Sequence, residues 1–326
     1  MKVSVCITTK TDLLEMIALF EALENQTLKP DEVILITANQ ISNQFPNLNF
    51  QLLRKQGVSR AEGRNLAIKK AKNEIIAITD AGCIPHKDWL KNITKSFSPT
   101  SSRLRGTTPD VVAGGYRMVA KNNFQRACSI FLGVKPKNID KQSLLLRSNE
   151  FMPSARSMAL TKTAWKKAGG FPENLIDTAE DTVFNIKLFE SGAKFAVASE
   201  AIVDWLMPDS VFEFAKKVYK YAKGDAVSGI WWHPVKKWKT HNIKVLTIFA
   251  RYLLAIGLMV AWFNGYLEFG YLYLFVFIGI YLLFSYKKAK WWGIILQFVS
   301  DFACIIGFSH GILQTGIKRH KLDGRT

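Results

Sequence analysis

The 326 residues carry 44 Lys and Arg against 26 Asp and Glu, a formal net charge of +18. That length holds one α/β domain of about 220–240 residues plus an apolar appendix, or two modest soluble domains. Cys6, Cys83, Cys128 and Cys304 show no CxxC spacing and the five histidines do not pair with them, so neither a disulfide framework nor a zinc site is indicated; the basic charge comes without zinc-finger spacing or an RNA-binding aromatic motif, so nucleic acid is not the expected partner.

The chain opens with a β-branched run at 3–8 and a helical spacing of Leu13, Leu14, Ile17, Ala18, Phe20, Ala22 and Leu23. The first apolar run, Val3 to Ile7, is too short for a signal-peptide core, so the folded part is expected to stay in the cytoplasm. A nearly continuous apolar strand follows at 31–37, a helix at 60–72 and a third buried strand at 74–80. Strands alternating with helices predict an α/β fold with a mostly parallel sheet, whose ligands bind beyond the C-terminal strand ends, where Thr9, Thr37 and Asp80 stand. Further on, 111–119, 155–161, 194–198 and 201–204 read as strands, and 162–168, 180–191 and the basic, aromatic stretch 210–224 as helices.

Composition then shifts. Three apolar segments, at 245–264, 267–285 and 291–313, each approach the ~20 residues needed to cross a hydrocarbon core. Trp231, Trp232, Trp238, Trp262, Trp291 and Trp292 bracket them as an interfacial belt would, and clusters such as Lys287, Lys288 and Lys290 adjoin them. The expected boundary puts a soluble domain at 1–230 and a membrane region at 231–326, with membrane lipids as partners. The first two segments form a hairpin in this reading. The third contains Gln297, Ser300, Asp301, Ser309 and His310 and ends in a basic tail, so it is expected to lie in the interface or re-enter.

Two acidic features stand against this pattern. Asp80 ends a buried strand and runs into Ala81-Gly82-Cys83-Ile84-Pro85; it either caps a turn or meets a cation or other donors. Glu180-Asp181 opens a helix, where a carboxylate caps first-turn amides or serves as a general base for an acceptor hydroxyl.

The blocks VSVCITTKT, GVSRAEGRNLAIKKAKNEIIAITDAGC, PSARSMALTKTAWKKAGGFPENL and AEDTVFNIKLFESGAKFAVASEAIVDW resemble, in order, those of glycosyltransferase family 2, whose members share the GT-A fold and invert the sugar they transfer. The resemblance spans roughly 3–230 and implies a nucleotide-sugar donor and a lipid-linked or saccharide acceptor. It implies that Thr9 lines the base pocket, that Arg64 and Asn65 sit near the nucleotide, and that Asp80 matches the first residue of an Asp-x-Asp motif holding the ribose and a divalent cation, Mg or Mn. Arg64 reads equally as a structural ion-pair partner. Asp181 matches the catalytic base, with Glu180 positioning the acceptor.

Two departures stand out: Gly82 replaces the second aspartate of Asp-x-Asp, and Asn39 stands near the place of a base-reading Asp. The Tyr221-Ala-Lys-Gly224-Asp225 block resembles that of a membrane-attached subset of the family, and the Gln-x-x-Arg-Trp motif of processive members is absent. Lys220 and Lys223 are candidates for a diphosphate or lipid phosphate, or form a basic helix on anionic lipid; Trp205 is core or an acceptor platform. Two other functions remain open at this stage, a polyprenyl-phosphate glycosyl synthase and a non-catalytic membrane scaffold built on a degenerate transferase domain.

Overall fold

The computed structural model describes residues 1–9, 13–38, 48–98, 108–133, 153–175, 178–230 and 241–323. The chain divides into two compact units, Met1–Val119 with Lys135–Leu206, and Ala120–Val134 with Met207–Thr326.

The first unit is built on one eight-stranded sheet, ordered β3-β2-β1-β4-β7-β6-β8-β5. Strands β1 (Val3–Thr9), β2 (Glu32–Thr37) and β4 (Ile75–Ile78) are buried along their whole length, as their largely apolar, β-branched runs favour in strands covered on both faces. With β3 (Phe50–Arg54) they form the parallel part. Helices α1 (Leu13–Glu24) and α2 (Arg60–Lys70) make the crossovers β1-α1-β2 and β3-α2-β4.

Beyond β4 the sheet becomes mixed. Strand β7 (Met158–Thr161) runs antiparallel to both β4 and β6 (Val111–Val119), while β6 is parallel to β8 (Phe195–Leu206) and short β5 (Cys83–Pro85) is antiparallel to β8. The two strands expected at 194–198 and 201–204 are this single β8, interrupted by a register shift opposite Gly114 and Gly115. Helices α3 (Trp89–Thr94), α5 (Lys162–Lys167) and α6 (Glu180–Glu190) complete the unit around a core that includes stacked Phe171 and Phe184, their centroids 3.9 Å apart.

The second unit comprises α4 (Asn123–Leu132), α7 (Val211–Ser228), α8 (His241–Phe263) and α9 (Gly270–Asp323). Ala289 (φ −155°, ψ 36°) and Lys290 (φ 53°, ψ −135°) break α9 into two rods, so three apolar rods match the three segments expected. Val245–Phe263 and Gly270–Gly316 are long and apolar enough to cross a membrane. Leu253, Leu254, Ile256, Phe275 and Ile280 are each more than half exposed, as side chains facing lipid would be.

The last rod behaves differently. Its Gly307 and Gly311 lie against α7: a Cβ on Gly307 would collide with the Tyr219 carbonyl, and one on Gly311 would stand 2.6 Å from Ala226 Cβ. This small-xxx-small spacing lets two backbones touch, and Tyr219 Oη meets His310 Nδ1 at 2.5 Å in the same contact. Ile295, Phe302, Ile306 and Leu313 remain exposed on the same rod. Lys288 folds over Phe284 and Phe131 (4.5 and 5.0 Å) and donates to Gln297 Oε1. Trp231, Trp232 and Trp238 lie outside the described residues.

Candidate active site

Thr9 and Thr37 are register partners at the C-terminal ends of β1 and β2, and both are buried. Asp80 follows β4 on the adjacent strand, its side chain 31 % exposed. Asn39 lies outside the described residues.

Helix α2 carries the residue that ties this edge together. Ser59 caps it by accepting from the Glu62 amide, and Gly63 lets it close on β1, because a Cβ there would collide with the Thr8 side chain. Arg64, next in sequence, is 3 % exposed and forks between two acids: Nη2 donates to Asp80 Oδ1 and Nη1 to Glu180 Oε1, each at 2.7 Å. Phe171 lies under the guanidinium, 5.4 Å from its ring centroid. One arginine thus joins the end of β4 to the start of α6, residues 116 apart along the chain from Arg64 to Glu180.

The electrostatics follow from this geometry. Burial works against charge on Arg64, but Asp80, Glu180 and Asp181 outweigh it and hold its pKa above the ordinary guanidinium value. Burial likewise pushes Asp80 up, while Arg64, then Arg60 and Arg156, outweigh it and hold its carboxyl below the usual aspartate range.

Helix α6 begins in an unusual way. Ala179 precedes it in the left-handed region (φ 73°), which costs a residue with a Cβ of order 1–3 kcal/mol, and Ala179 makes no side-chain cap. Glu180 is buried, and Asp181 is half-buried with Oδ1 accepting from the Thr182 amide at 2.8 Å. The alternative that these acids merely cap the helix therefore accounts for one local hydrogen bond of Asp181 and for none of Glu180's pairing with Arg64.

Asn65 points elsewhere. Its amide donates to the Phe171 carbonyl and to Glu173, and its oxygen accepts from the Phe171 amide and Trp165 Nε1, clipping the Gly169-Gly170-Phe171 turn in place. Trp205, on β8, is buried edge-on to Tyr116 (5.8 Å), and Arg156 lies over its ring at 3.9 Å. Asp204 beside it accepts a bidentate pair from Arg117 (2.8 and 2.7 Å) and shares a hydrogen bond with His86 Nε2 at 2.9 Å. Lys220 and Lys223 are half-buried on α7, in the second unit.

Arg156, Arg117 and His86 escape a reading along the chain. Arg156 lies inside one of the blocks that carry the resemblance but is assigned no role by it, and Arg117 and His86 lie outside them; what marks all three is contact around β6 and β8. For a divalent cation, no group of three or more His, Cys, Asp or Glu side chains could hold one among the described residues. The donors present suit an ion attached through one carboxylate: Arg64 occupies Asp80 Oδ1, and Asp80 is still 31 % exposed, which fits magnesium-type binding shared with phosphate oxygens and water.

An eight-stranded sheet, parallel through β3-β2-β1-β4 and mixed beyond, with helices flanking it, is the GT-A fold. The mannosyltransferase PcManGT from Pyrobaculum calidifontis, solved with GDP-Man and Mn2+, shares it with a TM-score of 0.65 at 16 % identity, covering 95 % of this chain and 87 % of that one. Residues 26–220 match the family described as Glycosyltransferase like family 2, and the chain belongs to that family. It is 28 % identical over 196 residues to the O-antigen chain rhamnosyltransferase RfbN of Salmonella typhimurium, covering 56 % of this chain and 59 % of the relative. It is 24 % identical over 217 residues to the glycosyltransferase AglE of Haloferax volcanii, covering 65 % and 62 %. The chain thus spans about three fifths of the length of these curated relatives (59 % and 62 %).

Proposed function

We propose that this protein is an inverting glycosyltransferase that moves a sugar from a nucleotide-sugar donor to a lipid-linked or membrane-proximal saccharide acceptor, in the assembly of a cell-envelope polysaccharide. The observation that carries the reading is the Arg64 fork, which holds the carboxylate after β4 and the acidic start of α6 in one charged cluster. Residues 1–230 supply the transferase and 231–326 the membrane region, with the catalytic part cytoplasmic. The last rod rests in the interface, a reading supported by its division between a side packed on α7 and an exposed apolar side.

Asp181 is the base in this mechanism. It takes the proton of the acceptor hydroxyl as that oxygen attacks the anomeric carbon from the face opposite the nucleotide. The carbon–oxygen bond to the nucleoside diphosphate breaks as the new glycosidic bond forms, so the configuration inverts. Glu180 positions the acceptor side and is itself fixed by Arg64. Thr9, Asn39 and Arg64 line the donor side, and Asn65 acts by holding the Phe171 turn. Asp80 would hold a divalent cation, Mg or Mn, which when bound offsets charge on the departing diphosphate as a Lewis acid. Trp205 sits on the acceptor side, and Lys220 and Lys223 contact a phosphate of donor or lipid.

The test is transfer and hydrolysis by detergent-solubilised protein over UDP-, GDP- and dTDP-sugars with membrane lipid extract, beside Asp181→Ala. Turnover that falls about 10²–10⁴-fold in the variant while donor binding persists is the expected result. Folded protein that neither binds nor turns over any donor would instead be a scaffold.

A further inference from the structure

Helix α2 carries a second row of side chains beside Arg64. Glu62, Asn65 and Lys69, three and four residues apart, share one helix face, and opposite them stand Trp165 and Lys166 of α5 and Glu173 beyond the glycine turn. Between these walls lies a cleft of about 400 Å³, also lined by Lys55 just past β3. That volume falls within the range of small-molecule sites, about 300–1,000 Å³.

The walls are locked together. Lys162 Nζ donates to the carbonyls of Lys69 (3.2 Å) and Ala71 (2.6 Å), which ties the start of α5 to the end of α2. Gly170 has φ 74°, and a Cβ on it would stand 2.8 Å from Asn65 Oδ1 and 3.2 Å from Trp165 Nε1, so glycine alone lets the turn close on them. Trp165 Nε1 donates to Asn65 Oδ1 at 3.0 Å; the indole is fixed by its polar edge while its half-buried ring lines the cleft.

The charge is uneven. Of the lining groups, Lys55 pairs with Glu62, and Glu173 accepts from the Asn65 amide at 2.9 Å. Lys69 and Lys166 are exposed and make no ion pair among the described residues, and Lys70, Lys72 and Lys167, close to them in the chain, are exposed as well. An apolar ligand would strip water from these charges without replacing it, and a bare anion would make no use of the ring. A fixed aromatic face inside a polar rim suits the C–H face and hydroxyls of a sugar, and the surplus of ammonium groups selects a sugar that carries acid. The cleft also adjoins the charged cluster: Asn65 Oδ1 accepts from the Phe171 amide at 2.8 Å, and the Phe171 ring lies under Arg64.

We propose that the cleft between α2 and α5 binds an acidic saccharide, and that it holds an acidic stretch of the acceptor chain beside the reaction centre. Its assignment to the acceptor rests on the glycosyltransferase reading; saccharide binding itself does not.

The experiment measures binding to the full chain in detergent of neutral cellohexaose, of three acidic hexasaccharides (galacturonate, sialate, and alternating glucuronate and N-acetylglucosamine) and of inorganic polyphosphate as a plain anion. At least one acidic hexamer should bind about tenfold more tightly than cellohexaose, and less tightly as salt rises. Lys69→Glu combined with Lys166→Glu should weaken that binding about tenfold. Trp165→Leu should weaken it by a similar factor and leave polyphosphate within about twofold. Binding of UDP, GDP and dTDP should not change in either variant. In transfer to membrane lipid extract, the lysine variant should need more extract for its half-maximal rate and keep its maximal rate.

Protein that binds a nucleoside diphosphate but no acidic hexamer overturns the proposal and leaves the transferase reading standing. Hexamers that bind Trp165→Leu as tightly as wild type make the surface a plain anion patch and overturn it too, as does an unchanged extract requirement in the lysine variant. If Trp165→Leu does not fold, Trp165→Phe decides: hexamer affinity equal to wild type overturns the proposal, and a loss confined to the hexamers supports it. Hexamer binding by protein that takes no nucleoside diphosphate overturns the transferase reading, and the acceptor assignment with it, while supporting the saccharide site.

Discussion

Among the described residues, each unit contains an arginine–aspartate pair, and the two pairs are inside out relative to each other. In the first, Arg64 is the buried partner at 3 % exposure and Asp80 keeps 31 % of its side chain exposed. In the second, Asp301 is fully buried and Arg251 is 23 % exposed. Asp301 Oδ2 accepts from Arg251 (2.5 Å), Tyr281 (2.7 Å) and Tyr252 (3.3 Å), and Oδ1 accepts from Gln297 (2.8 Å). That carboxylate is closed on itself and pins three apolar rods together. The Arg64 cluster instead fixes its cation and turns an acid outward. A buried ion pair is structural when every acceptor site is filled, and available for chemistry when one carboxylate is left at the rim.

The sharpest way to break the comparison is at Arg64. Arg64→Ala removes the cation that Asp80 and Glu180 share, which should cost about 3–5 kcal/mol of stability and all transferase activity. Thermal melting and donor turnover measured together check it. Asp181→Asn should part the two effects: with one local hydrogen bond and no ion pair, it should lose activity while its Tm stays within about 2 °C of wild type, the range expected for a half-exposed substitution in a chain this long.

How far this was legible from sequence depends on whether the signal was local. The continuous apolar runs of β1, β2 and β4 declare the parallel part of the sheet, and Asp80 and Glu180-Asp181 are visible because a strand end and a helix start are local features. Strand β3 is not, since Phe50–Arg54 is half-exposed at the sheet edge and shows no clean alternation. Nor is Arg156, which gains meaning only when β7 and β8 bring it onto Trp205. Asp301 stood out as an acid in an apolar segment, but its partners, on α8 and both rods of α9, are 20 to 50 residues away, apart from Gln297.

In the second unit, Asp301→Ala should destabilise the three rods by about 3 kcal/mol, because Arg251 then loses its buried partner. Asp301→Asn, which keeps an acceptor for Tyr281, should cost less. Detergent melting of the full chain ranks the two. Gly307→Leu attacks the same rod through packing rather than charge: its side chain must displace the Tyr219 backbone of α7, and overpacking of this kind costs about 1–3 kcal/mol. If Gly307→Leu melts like wild type, the close contact between α7 and the last rod is not a real constraint.

The smallest effect, and the most specific to an outward-facing acid, is in pH. Asp80 has a folded pKa below its ordinary value, held there against burial by Arg64, Arg60 and Arg156. A group of this kind stabilises the fold fully above its unfolded pKa of about 3.9, where both states are ionised. As pH falls past that value the unfolded chain takes up the proton first, so the stabilisation shrinks and is gone below the folded pKa. Asp204, which burial pushes up but Arg117 and His86 hold down overall, adds a further contribution over the same window. Wild-type Tm should therefore fall between about pH 5 and pH 3, and Asp80→Asn should fall by less over that interval because one of the depressed acids is gone. Parallel Tm curves for the two proteins would mean that Asp80 is not held by arginine, and the contrast with the closed Asp301 cluster would lose its basis.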